Sequence, residues 1–104
     1  MVRCKITVLK KMINRELVEE YSKLDLTEMC LGCHLFTLGE EFIVEDDNKI
    51  PEGFCSYAWT DILKDINAIM YGADYPWMKN PGLAISCCSD GLMPVIFKIE
   101  KMNS

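Results

Sequence analysis

The stretch Ser56-Tyr57-Ala58-Trp59-Thr60-Asp61-Ile62-Leu63-Lys64-Asp65-Ile66-Asn67-Ala68-Ile69-Met70, preceded by Cys55 and followed by Tyr71-Gly72, decides the fold. Trp59, Ile62, Leu63, Ile66, Ile69 and Met70 recur at three- and four-residue steps, which puts them on one face of an α-helix. Ser56 offers an N-cap oxygen and Gly72 a stop, so the spacing predicts a helix over 56–71 with one buried face. That face needs a second layer, and the flanking sequence supplies strands. Cys4, Ile6 and Val8 alternate with Lys5 and Thr7 across 3–10, a period of two that gives one buried and one wetter side. Phe42, Ile43 and Val44 form a brief strand bounded by acidic residues. Leu83 to Cys88 and Pro94 to Lys101 are apolar runs joined through Ser89, Asp90 and Gly91, which reads as an antiparallel hairpin. Ahead of these, Asn14 caps an expected short helix with Leu17, Val18, Tyr21 and Leu24 at helical spacing, and Glu16, Glu19 and Glu20 near its start suit the helix dipole. The expected architecture is one α+β domain over 1–104, an antiparallel sheet packed against one long helix plus a short N-terminal helix.

Composition narrows the function. The chain has 104 residues, 50% of them hydrophobic, enough for one core without disulfides. Its net charge of −5 repels phosphate backbones and no Lys/Arg stripe offsets it, so no nucleic-acid partner is expected. No apolar run is long enough to span a bilayer, so no membrane association is expected either. The N-terminal residues lack the apolar core and small-residue cleavage site of a secretory signal. A cytoplasmic location is the expectation, and there thiols stay reduced. Cysteine clusters are then read as metal-binding or catalytic before they are read as bridges. Oligomeric state leaves no signal in the sequence.

The six cysteines carry the chemistry. Cys30-Leu31-Gly32-Cys33 has the two-residue spacing that lets one tight turn present both sulfurs to a single ion, with Gly32 easing the turn. One such pair is half of a tetrahedral site, and Cys55, Cys87 and Cys88 are the sulfurs left to complete it. Cys55 stands just outside a helix N-terminus, where the dipole and free backbone N–H groups favour a thiolate. Cys87 and Cys88 are adjacent on a strand end and point to opposite faces, so one of the two is expected to serve. Cys4, on the Ile6 and Val8 face, reads as a small buried hydrophobe.

Other candidates have plainer explanations. Glu40, Glu41, Glu45, Asp46 and Asp47 suggest a hard-metal site, but their spacing matches no calcium loop and they read as solubilising residues around a short strand. His34 completes a Cys-x-x-Cys-His string, yet c-type haem needs export and an axial partner, and this chain has no second histidine. The aromatics near Cys55 (Phe54, Tyr57, Trp59) and after the helix (Tyr75, Trp77) read as core and loop anchors, and the methionines as core filling.

The string Pro51-Glu52-Gly53-Phe54-Cys55, followed by Ala58-Trp59, Cys88, Asp90-Gly91, Pro94-Val95 and Phe97-Lys98-Ile99, resembles an uncharacterised family of small prokaryotic cysteine-containing proteins of about this length. Cys30, Cys33, Gly39 and Phe42 match as well, and the resemblance runs from the first strand to the last. A proline is usual in that family at His34 and a basic residue at Met93. The resemblance implies one compact domain and a shared role for the cysteines, and it brings no activity. The expected function is a small cysteine-ligated metalloprotein in which Cys30, Cys33, Cys55 and one of Cys87 or Cys88 hold an iron–sulfur cluster or a zinc ion, serving a redox protein partner in the first case and clipping the fold in the second. The alternative is a thiol redox enzyme or sulfur carrier using Cys55 with Cys87 or Cys88 as the resolving thiol.

Overall fold

A computed structural model describes residues 2–25 and 32–103. Six elements follow along the chain: β1 (Val2–Lys11), α1 (Arg15–Tyr21), β2 (Glu41–Val44), α2 (Ser56–Met70), β3 (Leu83–Cys87) and β4 (Val95–Asn103). The strands form one four-stranded sheet in the order β2-β1-β4-β3, with every neighbouring pair antiparallel. The fold is α+β. From β2 at one edge the chain crosses a sheet face as α2 and returns as β3 at the opposite edge, so the helix lies over β1, β4 and β3.

Side-chain alternation fixes which face is covered. Cys4, Ile6 and Val8 of β1, Phe42 and Val44 of β2, Ala84 of β3, and Val95, Phe97 and Ile99 of β4 meet Ala58, Ile62, Ile66 and Ile69 of α2 in one core. Cys4 is fully buried, as its position on the Ile6 and Val8 face predicts, and burial pushes its thiol up to about 12. The opposite face is wetter, with Lys5 bridging Glu41 (3.4 Å) and Glu100 (3.6 Å), and Lys98 also meeting Glu100 (3.4 Å). Ile62 and Ile66 have no exposure at all. Ile62→Ala or Ile66→Ala should each cost about 2–5 kcal/mol, measured by denaturant unfolding, because the rigid sheet beneath cannot collapse into the void.

Both helices depart in detail from the reading of their caps. Cys55 rather than Ser56 is the N-cap of α2, and its side chain makes no capping hydrogen bond. At the other end Tyr71 is the C-cap. Ala73 N–H reaches the Ala68 carbonyl (2.9 Å) and Gly72 N–H the Ile69 carbonyl (3.2 Å), a Schellman closure that needs the positive φ of +94° at Gly72. Asn14 precedes α1 but does not cap it through its side chain. Its Nδ2 instead donates to the Gly91 carbonyl (2.6 Å), and its backbone N–H to the Leu92 carbonyl (2.8 Å). Among the described residues α1 packs on no strand, so the covering layer is α2 alone. No helix among the described residues is long and apolar enough to cross a membrane.

One carboxylate is built into the apolar interface. Asp65 of α2 is only 7% exposed. Its carboxylate accepts hydrogen bonds from Tyr75 Oη (2.8 Å) and Ser86 Oγ (2.7 Å), and Lys64 Nζ lies 3.5 Å away. Burial alone would raise its pKa, but the Ser86 and Tyr75 hydroxyls and the Lys64 charge together hold it below the ordinary value. A carboxylate depressed in the folded state stabilises above its unfolded pKa of about 3.9, and that contribution disappears as pH falls through the folded value. Asp65→Asn should therefore cost about 1–3 kcal/mol near neutral pH and flatten the acid limb of stability below about pH 4, read by denaturation at stepped pH.

Candidate functional site

Cys33, Cys55 and Cys88 gather at one end of the sheet, where β1 and β3 finish and β4 and α2 begin. Cys55 arrives there because Phe54, the residue before it, is anchored in the core. All four phenylalanines of the chain meet in a single aromatic cluster: Phe54 packs against Phe42 (ring centroids 4.8 Å apart), Phe36 (5.1 Å) and Phe97 (5.5 Å), and Phe36 sits edge-on to Phe42 (6.0 Å) and Phe97 (5.1 Å). Phe36 in turn ties down the loop that carries Cys33. Lys11 Nζ donates to the Phe36 carbonyl (2.8 Å). Gly32, at φ +80°, lies so close to β1 that an added Cβ would stand 3.4 Å from the Lys11 Cβ. Just before this point Leu9 is an extra residue in β1, a bulge between the Val8–Phe97 and Lys10–Ile96 pairs that re-aims the strand end toward the loop.

Cys88 comes from the far side. It follows β3, donates its backbone N–H to the Val95 carbonyl (3.0 Å), and its Sγ accepts the Val95 N–H (3.2 Å). The next residue is locked by α2: Asp61 Oδ2 accepts both the Ser89 N–H (2.8 Å) and the Ser89 hydroxyl (2.9 Å). Cys33, Cys55 and Cys88, remote from one another in sequence, thus line one cavity of about 310 Å³. Its apolar walls include Leu35, Phe36, Ala58, Met93 and Val95, and its polar rim carries Asp61, Ser89 and Asp90. Among the described residues no lysine, arginine or histidine lines it.

No protein family, curated protein or solved structure matches this chain. The functional reading rests on the cavity.

The remaining sequence candidates fall in different places. Cys30 lies outside the described residues. Cys87 is exposed and does not line the cavity: β3 buries Ala84 and Ser86, which share the parity of Cys88, and turns Ile85 and Cys87 to the other face. Partial desolvation, then the neighbouring Cys88 sulfur and Asp61 carboxylate, raise the Cys87 pKa, the opposite of what a reactive thiol needs. His34 is exposed and does not itself line the cavity, although its neighbours Cys33 and Leu35 do. Of the aromatics near Cys55, Tyr57 stands at the rim and is 83% exposed, while Phe54 and Trp59 belong to the core. Neither Asp61 nor Asp90 was read as a site residue in the sequence: Asp61 lies one step from a helix stripe and carries no mark of its own, and Asp90 was read only as part of the turn after β3 and of the family pattern.

The lining brings thiols, a donor type that soft metals prefer, together with carboxylates and apolar walls. Its dimensions discriminate further. Sulfurs closed around one zinc ion stand roughly 4 Å apart, given bonds of about 2.3 Å. Among the described residues no three His, Cys, Asp or Glu side chains are gathered tightly enough to hold one ion. A cavity of about 310 Å³ with three cysteines in its lining has room for a group several atoms across.

Proposed function

We propose that the protein is a small thiolate-ligated metalloprotein whose cavity receives an iron–sulfur cluster held by Cys33, Cys55 and Cys88, with Cys30 as the fourth ligand, and that it passes electrons to or from a redox protein partner. The observation that carries this reading is the convergence of three sequence-distant cysteines on one cavity. A cluster would supply one-electron chemistry, and the chain's own contribution is to tune it. The Val95 N–H directed at the Cys88 sulfur and the apolar walls are two of the means by which a protein sets such a potential. Zinc in the same four thiolates is the neighbouring proposal, and the size of the cavity counts against it.

Iron and acid-labile sulfide measured on protein purified without oxygen test the proposal. Near-stoichiometric iron and sulfide, with visible sulfur-to-iron absorption, are expected. Zinc without sulfide would replace the cluster by a structural ion. A second reading draws on the position of Cys55 at the α2 N-terminus, across the same cavity from Cys88: a thiol enzyme or sulfur carrier with Cys55 as nucleophile and Cys88 as resolving thiol. Its mark is metal-free protein with one rapidly alkylated cysteine.

A further inference from the structure

Strand β3 forms one edge of the sheet, and among the described residues nothing pairs with its outer side. In an antiparallel ladder, residues alternate between those that exchange hydrogen bonds with the partner strand and those whose N–H and C=O point away. Two bonds fix the parity here: Lys101 N–H to the Gly82 carbonyl (2.8 Å) and Cys88 N–H to the Val95 carbonyl (3.0 Å). With the register Leu83–Glu100 to Cys87–Ile96, residues 82, 84, 86 and 88 face β4, and the backbone groups of Leu83, Ile85 and Cys87 face outward.

The two edges of the sheet are guarded differently. Four-residue β2 begins at Glu41 and is followed by Glu45, and these carboxylates are tied to Lys5 and Arg3. Strand β3 reads Leu83-Ala84-Ile85-Ser86-Cys87, with no charge, no proline and no bulge, the devices by which sheet edges avoid pairing. Ile85, at its centre, is 49% exposed.

We propose that β3 is the interface of a symmetric homodimer in which two copies join their sheets edge to edge into one antiparallel eight-stranded sheet. The strand is its own complement. A twofold axis beside Ile85 pairs Ile85 with its counterpart and Leu83 of each copy with Cys87 of the other. Those are the three residues whose backbone groups face out, so every outward N–H meets an outward carbonyl. The side chains brought together on the open face are uncharged throughout, and Ala84 meets Ser86 on the helix side, where both residues are small. Each chain carries a net charge of −5, so the association should tighten as salt screens the repulsion between copies.

Analytical ultracentrifugation of the full chain under reducing conditions tests this. The expected mass is twice the 11.9 kDa of one chain, falling to the single-chain value in Ile85→Lys, which places two like charges on the axis. Ile85→Pro provides an independent variant: the N–H it removes is one that faces outward, so the β3–β4 ladder keeps its bonds while the edge is blocked. Circular dichroism confirms that each variant is folded. Wild-type protein that sediments as a single chain at every concentration and salt level would overturn the proposal. So would a dimer that persists in a folded Ile85→Lys or Ile85→Pro variant.

Discussion

Cys55→Ser should lower the melting temperature of metal-loaded protein and leave metal-free protein unchanged or slightly more stable. The opposite signs follow from the place of Cys55 in α2. As an N-cap without a capping hydrogen bond it gives the helix little, and serine is among the best N-cap residues, worth about 0.5–2 kcal/mol when its oxygen meets a free N–H. In the absence of metal the substitution therefore removes a poor cap and installs a good one. With a metal centre held as proposed, one thiolate ligand is lost. A centre present at a hundredfold over its dissociation constant stabilises the fold by about 2.7 kcal/mol. Losing that should lower the transition by roughly 10–20 °C in a domain of this size. Cys88→Ser should behave like Cys55→Ser in the loaded protein, and Cys87→Ser should change neither metal content nor melting temperature, because its sulfur is on the far face of β3. Thermal melts and metal analysis of the three variants, with and without chelation, check this pattern. Equal metal content in wild type and Cys88→Ser would end the proposal that Cys88 is a ligand.

The elements that dominate the fold were legible because their periods are strong. The stripe from Trp59 to Met70 and the alternation of Cys4, Ile6 and Val8 each bury one face, and a sequence reports a face directly. What it does not report is which distant residue completes a local oddity. Asp65 interrupts the apolar surface of α2 and is intelligible only once Ser86 and Tyr75, 21 and 10 residues away, bring it their hydroxyls. Phe36 lies in the aperiodic stretch 25–39, and its burial depends on three other phenylalanines that no local pattern connects to it. The opposed faces of Cys87 and Cys88 followed from strand geometry, but hydrophobicity alone would favour the wrong face as the buried one. Leu83 and Ile85 are the more apolar pair, yet Ala84 and Ser86 turn inward, where α2 crosses β3 and Ser86 serves Asp65. The start of the helix at Ser56 was legible, but its N-cap was read one residue late, because Ser56 is the better capping residue by type while Cys55, still extended, occupies the cap position.

Phe54→Ala should be among the most damaging single substitutions in the chain, and it should damage the fold and the candidate site together. Phe54 is buried, touches the rings of Phe36, Phe42, Phe97 and Trp59, and stands directly before Cys55. Truncating a phenylalanine in such a cluster costs about 3–5 kcal/mol, a large share of the 5–15 kcal/mol that holds a typical domain together. The neighbours that lose contact include Phe36, the anchor of the loop bearing Cys33, so two of the three cavity cysteines lose their positioning at once. Ile69→Ala separates the two consequences. Ile69 is fully buried at the opposite end of α2 and lines no part of the cavity, so its truncation should cost about 2–5 kcal/mol and leave metal content per folded molecule unchanged. Denaturant unfolding paired with metal analysis, performed well below both transitions, should show Phe54→Ala depleted of metal and Ile69→Ala fully loaded. Equal loading of the two variants would mean that the aromatic cluster stabilises the domain without positioning the sulfurs.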